Sequence, residues 1–549
     1  MPFSLASVQD AVAAAVPDRP ALIFRDRRFT YAQLVERTYR FANVLLAHGV
    51  DTPTPRAQLR NWESGQDQIA LYLQNGNEYI EAQFGAIKAG AAPFNVNYRY
   101  VEEELRYLFD DAKAQAVVYH AQFAPLLAKV LAGRAAMKVL LQVEDGSGEP
   151  LLPGALDYEA ALAAASPQRP DAEWSADDLY ILYTGGTTGM PKGVLWRQGD
   201  ILAAALGGRR SGGALLESLD EYADRARVIS PNVYLPTPPF MHGTAQWIAY
   251  SAWNSGHTIV MQDVVDRFDP DDILSVIERE RVNMLCLVGD AFGRPFLSAL
   301  EDSGADVSSL THILNGGAAM HPATKTALFD KLPSVRIIDT IGSSETGPQA
   351  RQVAKDVSDT REAPRAVGGN CVLSADRTRV EAPGHKELGW FAKSGHVPLG
   401  YLGDEEKTKA SFPVVDGVRY AAPGDRVRLR EDGSIEFHGR DSQSINSGGE
   451  KVFVEEVERA VGAHPDVVDT LVSWRPSERW GQEVVAMVQL APGAAPDNAA
   501  ILAAAASHIA RYKLPKAIVF VDKIGRQANG KPDYRWAKTM ADAYADGDN

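Results

Sequence analysis

The chain has 549 residues, of which 45% are hydrophobic and 23% are charged, proportions that are ordinary for a globular protein. Its formal net charge of −15 argues against a nucleic-acid-binding protein, because a surface that binds nucleic acid is basic. At about 150 residues per domain the length allows three or four structural units, and no stretch has the roughly 18 uninterrupted apolar residues of a membrane span.

The N-terminal segment and the cysteines predict a cytoplasmic protein. Residues 1–20 lack a basic region followed by a long apolar run, so they do not resemble a secretory signal. Cys286 and Cys371 lack CxxC spacing, and one distant pair makes no disulfide framework. We therefore expect two reduced, small apolar side chains in a reducing compartment.

Several segments carry clear patterns in chain order. Residues 155–165 and 499–506 are rich in alanine, which has the best helix propensity, so both predict helices. Residues 204–228 mix glycine pairs with dense charge, which predicts a surface insertion that contains one helix.

Residues 269–345 alternate helical and strand patterns, which predicts a parallel sheet with helices on its faces. Asp269 is suited to cap a helix that has Pro270 at its first position. Apolar strands are predicted at 282–289, 311–317 and 334–342. Because open α/β sheets bind ligands at the carboxyl ends of their strands, we expect a site there.

A domain boundary is predicted near residue 440, after a hairpin that turns at Asp432 and Gly433. Beyond it the pattern is that of a small α+β domain, with helices at 453–463 and 498–511 and strands at 466–474, 483–490 and 516–521. We therefore predict an α/β protein with a large N-terminal region to residue 439 and a C-terminal domain of about 110 residues.

The segment LYTGGTTGMPKGVLW (182–196) predicts a phosphate-binding loop between two strands. Glycines let backbone N–H groups approach a phosphate, threonine hydroxyls add donors, and a lysine adds positive charge. It is not a Walker A loop, which needs Gly-Lys-Ser/Thr at the start of a helix. Taken alone, a surface turn would have the same composition. The loop residues are Thr184, Gly185, Gly186, Thr187, Thr188, Gly189 and Lys192.

At this loop the sequence resembles the adenylate-forming superfamily of acyl-CoA synthetases, peptide-synthetase adenylation domains and beetle luciferases. The resemblance runs from residues 18–34 to residues 528–538, with five motifs in the family's order. It implies layered αβ subdomains and a β-barrel-like subdomain within residues 1–439. A hinge at 440–443 and a mobile C-terminal domain at 444–549 would follow.

The second motif is DTIGSSETG (339–347), a strand that delivers a polar turn. The resemblance assigns Mg²⁺ to Glu345 and a phosphate contact to Ser344, and Mg²⁺ does prefer carboxylates and phosphate oxygens. The family usually has an aromatic residue at position 341, whereas this chain has Ile341, so adenine would lie against an aliphatic wall. The resemblance also places Asp339, Gly342 and Ser343 at the nucleotide.

The remaining nucleotide contacts come from three further places. Gly316, Gly317 and Ala318 resemble the segment that lines adenine and the acyl group, although a tight turn needs the same small residues. Asp425, in YAAPGDRVRL (420–429), resembles the aspartate that binds the ribose hydroxyls. Arg440 resembles the arginine that contacts the ribose.

The C-terminal motifs imply a moving catalytic lysine. The hinge position is usually Asp or Lys and here is Ser442, which is small and tolerates varied backbone angles. Gly448 and Gly449 resemble the glycines beside the pantetheine arm of CoA. Lys531, in IGRQANGKPDY (524–534), resembles the catalytic lysine. In PPFMHGTAQW (238–247), His242 and Gly243 are predicted to end an apolar strand, and His242 resembles a histidine at the mouth of the acyl pocket, with a gating or positioning role.

The resemblance implies an ATP-dependent acyl-CoA synthetase that uses Mg²⁺, ATP, CoA and a small carboxylic acid. Residues 85–108 and 183–200 resemble actinobacterial synthetases for fatty acids and steroid side-chain acids, which favours a medium- or long-chain or bulky acid. Trp247, Val288 and Ala318 are candidate pocket residues. The sequence leaves the oligomeric state open, with a homodimer as the candidate.

Three alternatives remain at this point. An adenylation enzyme could load a carrier protein; no carrier domain follows Lys531, but a separate carrier would serve. A luciferase-like oxidase would consume oxygen. A nucleotide-binding protein without activity is disfavoured because Glu345, Asp425, Arg440 and Lys531 are all present.

Overall fold

The computed structural model describes residues 2–185, 190–210, 213–317, 320, 322–440, 444–525 and 533–544. The predicted fold class is confirmed, because helices and strands alternate through several layered sheets. Across the described ranges, no helix is both long and apolar enough to cross a bilayer.

The helices occupy residues throughout the described chain. In chain order they are α1 (Leu5–Ala15), α2 (Tyr31–Ala47), α3 (Asn77–Lys88), α4 (Glu102–Asp111), α5 (Ala124–Leu131), α6 (Tyr158–Ala164), α7 (Gln198–Ala204), α8 (Leu219–Val228), α9 (Gly243–Trp253), α10 (Pro270–Glu280), α11 (Gly289–Asp302), α12 (Pro322–Lys331), α13 (Glu405–Ser411), α14 (Val454–Val461), α15 (Asn498–Ala505) and α16 (Tyr534–Ala543).

In the part of the chain that the structure describes, the strands form four sheets. The first half of them are β1 (Pro20–Phe24), β2 (Arg27–Thr30), β3 (Gln68–Tyr72), β4 (Ala92–Asn95), β5 (Ala114–His120), β6 (Val139–Val143), β7 (Leu156–Asp157), β8 (Leu179–Gly185), β9 (Pro191–Arg197), β10 (Val233–Pro236), β11 (Thr258–Met261), β12 (Met284–Leu287), β13 (His312–Gly316) and β14 (Arg336–Ser343). The others are β15 (Gly347–Ala354), β16 (Arg365–Ala366), β17 (Asn370–Leu373), β18 (Gly389–Ser394), β19 (Gly400–Tyr401), β20 (Val414–Val415), β21 (Val418–Ala421), β22 (Asp425–Leu429), β23 (Ile435–Arg440), β24 (Ser444–Ser447), β25 (Glu450–Phe453), β26 (Val467–Ser477), β27 (Gly481–Leu490) and β28 (Ala517–Phe520).

Among the described residues, the first sheet has nine strands in the order β16-β15-β14-β13-β12-β10-β11-β1-β2. β12, β13 and β14 are parallel neighbours, as the alternating pattern predicted. The Asp269 side chain accepts the Asp272 N–H and caps α10, and Pro270 is the first helical residue, so this cap is confirmed. The carboxyl ends of these three strands therefore meet at one edge.

The second sheet has the order β19-β9-β8-β4-β3-β5-β6-β7 within the described ranges, and it carries the predicted phosphate loop between β8 and β9. One apolar core joins this sheet to the first, since Leu22 of β1 and Ile69 of β3 belong to the same buried cluster. Phe41, Phe84 and Trp253 fill that cluster from α2, α3 and α9.

The helix predicted within residues 204–228 is α8, but the prediction that the segment is a surface insertion is wrong where α8 packs inward. α8 contains Tyr222 and Ala226, which are fully buried, and Tyr222 meets Phe3 edge-on with ring centroids 6.2 Å apart. The spacing of four residues places both side chains on one helix face, and that face closes the core.

The third sheet has the order β20-β21-β18-β22-β23 in the described part, and β17 also pairs with β18. The hairpin between β22 and β23 turns at Asp432 and Gly433, as predicted, and Gly433 has φ of +78°. The fourth sheet, β25-β24-β27-β26 with β28 beside β27, contains the predicted C-terminal strands. α15 ends earlier than predicted, where the Ser507 hydroxyl donates to the Ala504 carbonyl oxygen.

The chain divides into two compact units. The second contains residues 440–549 together with 99–108 and 184–192, and the first contains the rest. Residues 441–443, which include the predicted hinge at Ser442, lie outside the described residues. The predicted domain boundaries therefore stay a prediction.

Three charged side chains are buried together inside the second unit. The Lys513 Nζ lies 2.6 Å from the Glu104 Oε1 and 2.5 Å from the Glu456 Oε1, and each of the three residues is at most 3% exposed. Burial raises the pKa of Glu456 to about 8; the Lys513 ammonium opposes this rise and the Glu104 carboxylate adds to it. Burial alone would lower the pKa of Lys513, but the two carboxylates outweigh it and raise that pKa. One ammonium thus contacts two acidic side chains, and the pKa of Glu456 is raised.

This cluster predicts a pH-dependent stability. The folded protein retains a proton on Glu456 up to about pH 8, whereas the unfolded chain loses it near the ordinary value of 4.5. Between these values the folded state binds more protons, so the free energy of unfolding should fall as pH rises through this window. Urea unfolding from pH 5 to about pH 8 measures the slope. Glu456→Gln should flatten this slope. Glu406→Gln, which changes an exposed residue of α13, should leave the slope unchanged. An unchanged slope in Glu456→Gln would contradict the assignment.

Candidate active site

Asn95 fastens the end of β8 to the segment that precedes His242. Its Nδ2 donates to the Tyr183 carbonyl oxygen over 2.8 Å and to the Met241 carbonyl oxygen over 2.6 Å. Its Oδ1 accepts the Tyr183 N–H over 2.7 Å. Thr184 and Gly185 complete β8, whereas the predicted loop residues Gly186, Thr187, Thr188 and Gly189 lie outside the described residues. Lys192 lies in β9.

His242 does not end a strand, and that part of its prediction is wrong. β10 ends at Pro236, since the prolines that follow cannot donate to a ladder, and His242 instead directly precedes α9. A Cβ on Gly243 would lie 2.7 Å from the Leu182 Cδ2, so glycine lets the start of α9 approach β8 closely. His242 is thus positioned where β8 and α9 meet.

Gly316 and Gly317 bring three elements together at the end of β13. A Cβ on Gly316 would lie 3.4 Å from the Thr244 Cγ2. A Cβ on Gly317, whose φ is +87°, would lie 3.5 Å from the Thr244 Oγ1 and 3.6 Å from the Val288 Cγ1. The first turn of α9, the end of β12 and this turn therefore adjoin one another. Ala318 lies outside the described residues.

The Asp339 carboxylate is held inside the protein. The Asn315 Nδ2 donates to the Asp339 Oδ1 over 2.6 Å, and Lys325, which is buried, forms an ion pair with Asp339. Lys325 also donates to the Gln352 Oε1 over 2.6 Å. This network fixes the middle of β14, and the role of Asp339 in nucleotide binding stays a prediction.

Glu345 lies on the short turn between β14 and β15 and is 8% exposed. The Tyr401 hydroxyl donates to the Glu345 Oε1 over 2.8 Å. The Trp196 Nε1 donates to the carbonyl oxygen of the preceding residue, Ser344, over 2.8 Å. Two aromatic side chains thus hold the two consecutive residues to which the resemblance assigns the metal and a phosphate.

Further hydrogen bonds hold the backbone of the Glu345 turn. The Ser343 N–H donates to the Thr346 Oγ1 over 3.1 Å, so Ser343 shapes the turn. The Lys393 Nζ donates to the Thr346 carbonyl oxygen over 2.6 Å and to the Pro348 carbonyl oxygen over 3.3 Å. Burial lowers the pKa of Lys393 to about 8, and the Arg209 guanidinium lowers it further. The Glu345 turn therefore rests on a buried amine and its hydrogen bonds.

Gly342 should be indispensable to this turn. A Cβ at this position would overlap the Gly347 carbonyl oxygen across the β14–β15 pair, so Gly342→Ala must displace the backbone that carries Glu345. We expect at least about a tenfold loss of ATP–pyrophosphate exchange, because catalytic groups tolerate little misplacement. Gly304→Ala is the matched control, since open space surrounds that position. Equal activity of the two variants would contradict this reading.

Ile341 and the Asp425 strand share a small apolar cluster. Ile341 lies opposite Ala350 of β15 and packs against the cluster that contains Ala350 and Val427 of β22. Asp425 begins β22, is 3% exposed, and follows Gly424, whose φ is +133°. The segments DTIGSSETG (339–347) and YAAPGDRVRL (420–429) are therefore neighbours in the fold.

The second unit presents Gly448 and Gly449 as a two-residue hairpin turn between β24 and β25. Their φ values are +60° and +83°, which glycine adopts without strain. A Cβ on Gly448 would lie 2.8 Å from the Trp480 Cε3. Arg440 ends β23, and Lys531 lies outside the described residues.

Sequence reasoning missed Asn95, Lys325, Trp196 and Tyr401. Aromatic residues in strands usually belong to a core, so Trp196 and Tyr401 gave no chemical signal. Buried polar partners such as Asn95 and Lys325 are recognisable only when the strands they join are known to be adjacent.

Comparison with known families decides the class. The profile of the AMP-binding enzyme family matches residues 9–381, and the profile of the AMP-binding enzyme C-terminal domain matches residues 456–531. The chain belongs to the AMP-binding enzymes. The match spans β1 to the residues that follow β17, so it includes the Glu345 turn and the Gly316–Gly317 turn.

This AMP-binding enzyme is similar to ligases of known specificity. It is 50% identical over 540 residues to a medium-chain acyl-CoA ligase of Mycobacterium avium, covering 98% of each chain. It is 40% identical over 545 residues to a medium/long-chain-fatty-acid and 3-oxocholest-4-en-26-oate CoA ligase of Mycobacterium tuberculosis, covering 98% of this chain and 96% of the relative. An amide bond synthetase from Marinactinospora thermotolerans shares the fold, with a TM-score of 0.79, 21% identity and coverage of 98% and 99%.

Proposed function

We propose that this AMP-binding enzyme is an acyl-CoA ligase for a medium- or long-chain, or bulky steroid side-chain-like, carboxylic acid. The observation that carries the proposal is the 50% identity to a medium-chain acyl-CoA ligase over 98% of both chains. The acid and ATP would give an acyl-adenylate and pyrophosphate, and CoA would then give acyl-CoA and AMP.

The residues of the Glu345 turn suit Mg²⁺. Within the described ranges no three His, Cys, Asp or Glu side chains cluster as a protein-only cage would require. A single buried carboxylate fits a metal whose other ligands are water and the phosphate oxygens of ATP. Glu345 would hold the ion, which when bound neutralises charge on the phosphates.

The first step needs charge stabilisation more than acid–base catalysis. A carboxylic acid is already ionised at neutral pH, so it can attack the α-phosphorus directly while pyrophosphate departs. Backbone and hydroxyl donors of residues 184–189, with Lys192, would hold the leaving phosphates, and Ser344 would add a contact. Lys531 would bridge the oxygens of the carboxylate and the α-phosphate.

The proposed contacts to the nucleoside come from the motifs named in the sequence. Asp425 would accept hydrogen bonds from the ribose hydroxyls, and Arg440 would contact the ribose. Adenine would lie against Ile341 and the turn that contains Gly316, Gly317 and Ala318. Asp339 would approach adenine from β14, with its carboxylate already oriented by Asn315.

The second step needs a different environment, because a thiol must reach the adenylate carbonyl. We assign a hinge to Ser442, about which the C-terminal domain would rotate, withdraw Lys531 and bring Gly448 and Gly449 to the pantetheine arm. His242 would gate or position the acyl group. The cytoplasmic location and a homodimeric assembly remain predictions from the sequence.

The decisive experiment is mass-spectrometric detection of acyl-CoA and AMP. The protein would be incubated with ATP, Mg²⁺, CoA and a pool of acetate, fatty, aryl and steroid side-chain acids. We expect one medium- or long-chain or steroid side-chain acyl-CoA to appear with AMP. AMP and pyrophosphate without any acyl-CoA would instead identify a carrier protein or oxygen as the second substrate.

A further inference from the structure

Tyr401 is held rigidly beside the candidate metal ligand. Its strand, β19, pairs with β9, and Tyr401 lies opposite Val194. The Tyr401 N–H donates to the Thr408 Oγ1 over 2.9 Å, and its ring meets Phe412 edge-on with centroids 5.9 Å apart. The side chain is buried, so its hydroxyl has one preferred position.

The Tyr401 hydroxyl restricts the Glu345 carboxylate. The bond of 2.8 Å to Oε1 joins two buried groups, where hydrogen bonds to an ionised acceptor are strong. A phenolic hydroxyl can donate a hydrogen bond to a carboxylate oxygen. The terminal torsion of a glutamate is broad and roughly two-fold, so a fixed donor on one oxygen selects the orientation of the whole carboxylate.

Trp196 restrains the backbone of the same turn from the same pair of strands. Trp196 lies in β9, two residues after Val194, and its Nε1 donates to the Ser344 carbonyl oxygen. The strand that follows the phosphate loop and its edge partner therefore fix both the backbone and the carboxylate at Ser344 and Glu345.

We propose that Tyr401 is a positioning residue that orients the Glu345 carboxylate for Mg²⁺ bound with ATP. The inference rests on the proposed function, in which the Mg²⁺–ATP complex is a substrate. Without the hydroxyl the carboxylate would lose the hydrogen bond that restrains Oε1. Metal affinity should then weaken, while the sites for the acid and for CoA keep their affinities.

Tyr401→Phe tests the proposal by two readouts. The first is the concentration of Mg²⁺ that half-activates acid-dependent ATP–pyrophosphate exchange at saturating ATP. The second is the dissociation constant of Mn²⁺ in the presence of a non-hydrolysable ATP analogue, measured by electron paramagnetic resonance without turnover. We expect both to rise about tenfold, the effect of losing one hydrogen bond to a charged group. The KM for CoA should not change.

Two comparisons separate positioning from a merely structural role. Tyr31→Phe removes a buried hydroxyl that is bonded to the Trp253 and His257 carbonyl oxygens, so it should lower the melting temperature and leave both metal constants unchanged. In a Glu345→Gln background, Tyr401→Phe should weaken Mn²⁺ binding no further, because the hydroxyl acts through the carboxylate.

Metal constants of Tyr401→Phe within about twofold of the wild type would overturn the proposal. An equal loss in the Glu345→Gln background would overturn it as well, since Tyr401 would then act by another route. If the wild type forms no acyl-adenylate with any acid but Mn²⁺ binding still depends on Tyr401, the positioning role stands and the proposed function fails.

Discussion

Replacing Lys531 with alanine is expected to abolish acyl-adenylate formation and to spare thioester formation from a supplied acyl-adenylate. The first step gathers a carboxylate and a triphosphate, whose mutual repulsion a lysine would offset in the transition state. The second step has no such pair of anions at the reacting atoms. We expect the ATP–pyrophosphate exchange rate to fall about 10²- to 10³-fold, as when one transition-state donor is removed.

The half-reactions can be measured separately. Pyrophosphate exchange reports the first step, and release of AMP from synthetic acyl-adenylate plus CoA reports the second. Lys523→Ala is the matched control, because Lys523 is an exposed lysine of the same unit and its loss changes the net charge equally. Equal losses in both half-reactions of Lys531→Ala would refute the assignment.

Lys513→Met is expected to have the largest effect on stability. The Lys513 ammonium is hydrogen-bonded to two acidic side chains that are both nearly inaccessible to water, Glu104 and Glu456. The Lys513 Nζ also lies over the Tyr100 and Tyr512 rings, 4.9 and 5.7 Å from their centroids. Removing one member of a buried ion pair typically costs about 3–5 kcal/mol, because the remaining charge is left without compensation.

Urea unfolding measures this cost. Lys516→Met is the control, since Lys516 is an exposed lysine three residues later in the chain. Adding Glu104→Leu and Glu456→Leu to Lys513→Met should restore part of the lost stability, because an apolar cluster carries no uncompensated charge. A destabilisation by Lys513→Met no larger than that of Lys516→Met would contradict the role of the cluster.

The sequence predicted the parts of the fold that depend on local signals. The Asp269–Pro270 cap and the Asp432–Gly433 turn are confirmed because the backbone itself demands those residue types. Burial of one face of α8 was not predicted, since the charge of this helix concealed Tyr222 and Ala226. The strand end at Pro236 was missed because an apolar run alone does not mark where a ladder stops.

The candidate site shows the same contrast between residues that belong to a sequence motif and residues that only the fold brings beside them. Glu345, Asp425 and the glycines of residues 316–317 were named from motifs, and their roles toward a ligand stay predictions. The residues that hold them are not local to any motif: Tyr401 lies 56 positions from Glu345 and Trp196 lies 148 positions from Ser344. Such pairs depend on which strands are neighbours, and one sequence does not encode that in a readable pattern.

Residues 99–108 belong to the second unit although most of that unit begins at residue 440. This affects the order in which the chain folds during synthesis and the exchange of C-terminal domains between relatives. Glu104 and Lys513 are 409 positions apart, so a ribosome makes nearly the whole protein before this pair can form. Until then Glu104 stays hydrated, and closure of the pair is a late event with a large loop to order. A fragment that begins at residue 440 would retain Glu456 and Lys513 but lack Glu104. C-terminal domains exchanged between relatives should therefore function only when an acidic residue at position 104 travels with the lysine at 513.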